Sequence, residues 1–201
     1  MTRTSLPLVL LTLIFLMAGC SGMFAHYGGV ERNLRAGHPD QAVKLIQEAK
    51  DDYGRNNRLL YLMDNGMVLH LAGRYQESNA VLEEAHLLIE EQYTTRVRDQ
   101  ASALLLNETQ LPYAGEPFEH VLINVIKALN YALLSHWSDA LVEARRIDHR
   151  LNVLSDHAEG NAYKEDPFAR YLTGVLYEIA GDLNNAYVAF RQAEAVYDEV
   201  R

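Results

Sequence analysis

The stretch GMVLHLAGRYQESNAVLEEAHLLI, residues 66–89, has a near copy later in the chain, GVLYEIAGDLNNAYVAFRQAEAVY, residues 174–197. In both, two glycines stand seven apart, Gly66 and Gly73 in one and Gly174 and Gly181 in the other. Each pair is followed by a small-large-small row: Ser78, Leu82 and Ala85, then Ala186, Phe190 and Ala193. Apolar residues recur at helical spacing on both sides of the second glycine, so each copy reads as two amphipathic helices joined by a tight turn. The first glycine leaves room for the second helix to approach, the second glycine turns the chain, and the row fills the contact.

Two more copies are legible. Ala42, Ile46 and Ala49 follow Gly37, and Ala140, Ala144 and Ile147 follow Ala128, Tyr131 and Trp137. Four such rows in register resemble the tetratricopeptide pattern, and Gly174-Val175-Leu176-Tyr177 carries its G-x-x-Y element intact. The resemblance implies an all-α chain of about four irregularly spaced helical hairpins in a short right-handed α-solenoid. The rows start at Ala42, Ser78, Ala140 and Ala186, so the second and third intervals exceed a regular repeat. Insertions are expected near 95–117 and 153–166. The periodicity predicts helices near 23–36, 39–53, 58–72, 75–93, 95–107, 117–134, 137–152, 167–180 and 183–199. Pro39, Pro117 and Pro167 each fall where a helix can begin, with Glu116 and Asp166 immediately before two of them.

Residues 1–22, MTRTSLPLVLLTLIFLMAGCSG, read as a targeting segment. The apolar run from Leu6 to Ala18 falls short of the ~20 residues that span a bilayer as a helix. Its end, Met17-Ala18-Gly19-Cys20, resembles the bacterial lipobox, in which the cysteine thiol receives a diacylglycerol before cleavage. The expectation is a signal peptide over 1–19 and a mature domain over 20–201, anchored by acyl chains such as palmitate on Cys20. Ser21 in place of Asp implies, by the same resemblance, the outer membrane and its periplasmic face. Cys20 is the only cysteine, so once acylated it leaves no thiol for disulfides, zinc or nucleophilic catalysis.

The formal net charge of −9 disfavours nucleic acid and anionic headgroups as partners. Eight histidines raise the question of a metal, but no two stand four apart around an intervening acid as in zinc peptidases. Surface or inter-helix hydrogen bonding is the expected role of His70, His86, His136 and His149. Glu83-Glu84 and Glu90-Glu91 read as solvated helix faces. Arg145 and Arg146 point about 100° apart on one helix, so at most one faces a groove and the other pairs with an acid such as Glu143 or Asp148. With no phosphate-cradling loop, dinucleotide fingerprint or nucleophile elbow, neither an enzyme nor a cofactor is expected.

A tetratricopeptide stack presents its first helices on the concave face. Those positions are Leu60, Met63, Met67, His70 and Leu71 in the second copy, Leu122, Val125, Leu129 and Leu133 in the third, and Phe168, Tyr171, Val175 and Ile179 in the fourth. This is an apolar groove without the Lys and Asn of a carboxylate clamp. The loop LPYAGEPFE, 111–119, adds two rings, Tyr113 and Phe118, expected to pack onto the third copy's first helix or across the groove, with Glu116 and Glu119 at its rim. The candidate partner-binding residues are therefore Met63, Met67, His70, Tyr113, Glu116, Phe118, Glu119, Leu129 and Tyr171.

The run from Leu111 to Leu151, with its Y-x-G-E-x-F-E and E-A-R-R elements, resembles the central segment of a family of bacterial tetratricopeptide lipoproteins. The resemblance implies an adaptor that holds a protein partner in cell-envelope assembly or secretion, alongside curli-channel-like lipoproteins. The alternatives are a helical-repeat lipoprotein supporting barrel insertion or regulating peptidoglycan synthesis and, in a different class, a peptidoglycan-acting hydrolase. For the last, Glu116, Glu119 and His120 form the only local cluster.

Overall fold

The structure, a computed structural model, describes residues 25–98, 111–156 and 166–199. Among these are eight α-helices and no strand: α1 Tyr27–Arg35, α2 Pro39–Glu48, α3 Arg58–Leu71, α4 Tyr75–Arg98, α5 Pro117–Leu133, α6 Trp137–Asp156, α7 Pro167–Ile179 and α8 Leu183–Glu199. The signal segment and Cys20 lie outside the described residues, as do 99–110 and 157–165.

One turn, used four times, divides the helices into pairs. The N–H groups of His38, Arg74, His136 and Asp182 donate to the carbonyls of Asn33, Leu69, Tyr131 and Tyr177 at 2.8, 2.9, 2.8 and 2.9 Å. Each closes a Schellman turn, which satisfies carbonyls that the ending helix leaves without partners. The residue before each donor is left-handed: Gly37 (φ 75°), Gly73 (75°), Ser135 (60°) and Gly181 (78°). Three turns use glycine, which has no Cβ to clash there. The third uses Ser135, at a conformational cost of roughly 1–2 kcal/mol.

Within a pair, the rows seen in the sequence form the contact. Ala42, Ser78, Ala85, Ala140, Ala144 and Ile147 are fully buried. A Cβ on Gly66 would stand 2.4 Å from Leu82 Cδ2, and one on Gly174 would stand 2.6 Å from the Phe190 ring, so both glycines exist for close helix approach. The equivalent position in the third pair is the fully buried Ala128.

Every helix packs on its neighbours in sequence, and α5 also touches α3 and α7. That central position explains its composition, apolar almost all round. Ile123 and Ile126 join a core built from α1 to α4, whereas Val121, Val125 and Ala128 join a second core with α6 and α7. At the other end of the first core, His26, Tyr27, Tyr53 and Asp64 meet. Tyr53 donates to Asp64 at 2.7 Å and lies 2.9 Å from His26, and Tyr27 also donates to Asp64. Burial first, then the Asp64 bond, pushes the Tyr27 phenol up to about 12.

Several boundaries differ from those expected: α1 begins at Tyr27 and not near 23, and α6 runs past 152 to Asp156, into the expected insertion. The predicted break between helices at 93 and 95 is absent: Thr94 Oγ1 donates to the Glu90 carbonyl at 2.9 Å, which lets a β-branched polar residue continue the helix, and α4 runs through Arg98. The predicted helix 39–53 ends at Glu48 and tightens into a 3₁₀ turn over Ala49–Tyr53 before Gly54 reverses the chain at φ 66°. The starts expected at Pro39, Pro117 and Pro167 hold. Asp166 accepts the Ala169 N–H at 2.9 Å, and Glu119 accepts the Glu116 N–H at 2.7 Å in a capping box.

Candidate functional site

α5 carries Asn124, Lys127 and Asn130 three apart, so they follow one side of the helix, and all three are fully buried. Their partners come from the helices on either side. Lys127 Nζ pairs with Glu83 on α4 and, at 2.9 Å, with Glu143 on α6. Arg146 bonds the same two carboxylates, at 3.1 and 3.0 Å. Asn124 donates to Glu143 at 2.8 Å and accepts from Arg150 Nε at 3.1 Å, and Arg150 reaches on to His86 at 3.1 Å and Glu90 at 3.0 Å. At the other end, Asn130 donates to Ser78 Oγ and Asn79 Oδ1, both at 2.9 Å, and its carbonyl oxygen lies 2.6 Å from His70 Nδ1.

This polar seam joins α4, α5 and α6 where the sequence interval is longest. Burial pushes the Glu83 carboxyl up, but Lys127 and then Arg146 more than offset it, and it lies below the ordinary carboxylate range. A second buried cation, Arg170 on α7, reaches back to Asp148 at 2.5 Å and Asn152 at 2.8 Å on α6. Polar contacts therefore tie each of the last two inter-pair joints.

Beside the seam lies a pocket of about 670 Å³. α4 gives it His86, Ile89, Glu90 and Tyr93, and α6 gives it Arg146, His149, Arg150, Val153 and Leu154. Gly115, Pro117 and His120 close the end where the loop enters α5. Burial, then Arg150 and Arg146, hold the His86 imidazole below its ordinary range. His120 is also held down, chiefly by burial, against the opposing effect of its 2.8 Å bond to the Ala114 carbonyl.

The residues predicted to share a groove differ in what they contact. Met63 and Met67 are half-buried against the first core, and Leu129 packs against both cores. His70 is committed to the seam through Asn130. Tyr113 turns inward: its N–H donates to the Asn56 carbonyl at 2.7 Å, its hydroxyl to Glu119 at 2.6 Å, and its ring packs on the first core. Burial, then Glu119, pushes its phenol well up. Phe118 stays 45 % exposed, so the two rings do not act as one unit. Tyr171 is 52 % exposed, with its ring 5.7 Å from that of Phe190. Glu116 and Glu119 are held together by the capping box, and neither lines the pocket that receives His120.

One reading needs correction. Glu83 and Glu90 are not merely solvated: the first meets Lys127 and Arg146, the second Arg150, while their neighbour Glu84 pairs with Arg58 at 2.5 Å. Of the two adjacent arginines, Arg146 is the paired one and Arg145 is exposed. Sequence reasoning missed Lys127, Asn124 and Asn130. The available signal was a lysine and two asparagines inside the otherwise unbroken apolar run VLINVIKALNYALL, 121–134.

No protein-family model, curated protein or solved structure matches this chain.

Proposed function

We propose that this chain is a membrane-tethered adaptor of the bacterial tetratricopeptide-lipoprotein kind, whose hairpins stack as a short right-handed solenoid. The face formed by its first helices holds a protein partner in the cell envelope. Four like turns, close helix contacts at Gly66 and Gly174, and the meeting of α5 with both α3 and α7 support the repeat reading. In such a stack the first helices line one side.

The observation that carries the binding role is what those helices leave in solvent. Leu71 at 56 %, Leu133 at 58 %, Phe168 at 51 %, Tyr171 at 52 % and Ile179 at 51 % are exposed at first-helix positions, joined by Phe118 and Leu122. On α7 the spacing Phe168, Tyr171, Val175, Ile179 keeps one side apolar. A row of exposed apolar side chains along these helices fits an interaction surface. A binding role is favoured over catalysis because Glu116 and Glu119 serve as helix cap and His120 points into a different pocket. The lipobox-like Met17–Cys20 supports the tether, with acylation at Cys20 and the periplasmic face of the outer membrane as its place.

A photo-crosslinking residue placed at Leu133 or Tyr171 in living cells should capture one discrete partner, and the same residue at Lys44 or Arg191 should not. Equal capture from all four positions, or none from the first two, refutes the surface assignment. Cys20→Ser should release the protein from membranes; retention after that change refutes the tether.

A further inference from the structure

The pocket between α4 and α6 is separate from the first-helix face, and its chemistry is of another kind. We propose that it binds a small monoanionic carboxylate with an apolar body: Arg146 and Arg150 take the carboxylate, and Ile89, Val153 and Leu154 take the body. The proposal does not rest on the adaptor reading.

The donors are already aimed. Arg146 holds Glu83 and Glu143 through Nη1, so among the described residues its Nε and Nη2 have no partner. Arg150 uses Nε for Asn124 and Nη2 for His86 and Glu90, leaving Nη1. Both guanidiniums are fixed by the seam, so little side-chain entropy is lost when they take a ligand. Both line the pocket.

Charge decides what kind of anion. Around the pocket three cations, Lys127, Arg146 and Arg150, face three carboxylates, Glu83, Glu143 and Glu90. Such a balanced site has no surplus for a dianion such as phosphate. It can accept a monoanion by exchange, and one of its own carboxylates is placed to leave: Glu90, 56 % exposed at the side chain, sits 3.0 Å from Arg150, itself only 18 % exposed. A ligand carboxylate takes over that contact while Glu90 returns to water. Glu143, at 3 %, cannot leave in this way. The lining also carries apolar side chains next to the arginines, with Ile89 of α4 buried and Val153 of α6 41 % exposed, so the favoured ligand carries hydrocarbon beside its charge.

Benzoate, its neutral isostere benzamide and inorganic phosphate test the class. The full-length protein, held in nanodiscs of zwitterionic lipid with labelled histidine, is titrated while the ring signals of His86, His120 and His149 are followed. Benzoate should shift these signals saturably, benzamide should bind at least about tenfold more weakly, and phosphate should not displace benzoate. Glu90→Gln, which removes the competing carboxylate at an exposed site, should tighten benzoate binding severalfold. Arg150→Gln should weaken it about tenfold or more. Equal binding of benzamide, displacement by phosphate, no saturable shift with benzoate, or no tightening in Glu90→Gln would each overturn the proposal.

Discussion

Lys127 Nζ and Glu143 Oε1 lie 2.9 Å apart with both side chains almost wholly buried, 1 % and 3 % exposed, within the third helix pair where Glu83 of the second pair meets it. An ion pair removed from water stabilises little in net terms, because desolvation offsets most of the attraction. Losing one member strands the other at high cost.

Lys127→Met should therefore destabilise the fold by about 3–5 kcal/mol in denaturant unfolding, since the buried Glu143 carboxylate loses its ammonium and is left with Arg146 and Asn124. Lys127→Met combined with Glu143→Leu should cost clearly less than the single change. A double variant as unstable as the sum of its parts would mean that Lys127 and Glu143 are not coupled, which would refute the stranded-charge account.

Ser135 stands where the other three turns have glycine, at φ 60°. Ser135→Gly should raise stability by about 1 kcal/mol, and Gly73→Ser should lower it by a similar amount. Chemical denaturation of the two variants checks both signs.

A Cβ at Gly66 or Gly174 meets Leu82 or Phe190 well inside van der Waals contact, whereas one at Gly28 meets nothing within 4 Å. Gly66→Ala and Gly174→Ala should each cost about 1–3 kcal/mol through overpacking. Gly28→Ala, in α1, should be neutral or gain up to about 1 kcal/mol. Melting temperatures order the three.

The loop ahead of α5 separates stability from binding. Tyr113→Ala removes a half-buried ring and the hydroxyl that engages Glu119, so it should lower the melting temperature. Phe118→Ala, at an exposed position, should leave the melting temperature unchanged within a degree or so and weaken partner capture. The reverse assignment of the two effects would refute this division.

Acid should loosen the fold in two steps. His86 and His120 are held below the ordinary imidazole value, so between their folded values and about pH 6.5 the unfolded chain binds more protons. Stability is therefore lost as pH falls from about 6.5 through their folded values. Glu83, held below the usual carboxylate range, contributes stability above about pH 4.3 that is lost as pH falls further through its folded value. His86→Gln together with His120→Gln should flatten the first step and leave the second, as read by melting temperature between about pH 3 and 7.5.

Residue spacing carried most of the helix pairing. Rows such as Ser78, Leu82 and Ala85 name their contacts because helix periodicity fixes which side chains share a face, and Gly66 and Gly174 reveal themselves by lacking a side chain. The third turn was harder to see, because serine in a left-handed turn looks like serine anywhere. The seam was harder still. Nothing local to Lys127 says that Glu83 and Glu143 will reach it from two other helices, since that meeting depends on how the pairs are stacked. The pocket shares this difficulty: His86, His120 and Arg150 are far apart in the chain and become neighbours only through α4, α5 and α6.

The repeated turn also sets a timetable. Each closes on carbonyls five residues back, and each helix packs chiefly on the next one along, so a chain delivered from its N-terminus can fold one hairpin at a time, with little waiting for distant residues. The seam breaks that schedule, as do the Tyr113–Asn56 bond and the place of Ile123 and Ile126 in the first core. Glu83 must stand without its buried ammonium until Lys127 arrives and without its guanidinium until Arg146 follows. A chain halted before α5 would carry a first core still lacking Ile123 and Ile126, with its acidic edge at Glu83 open to water.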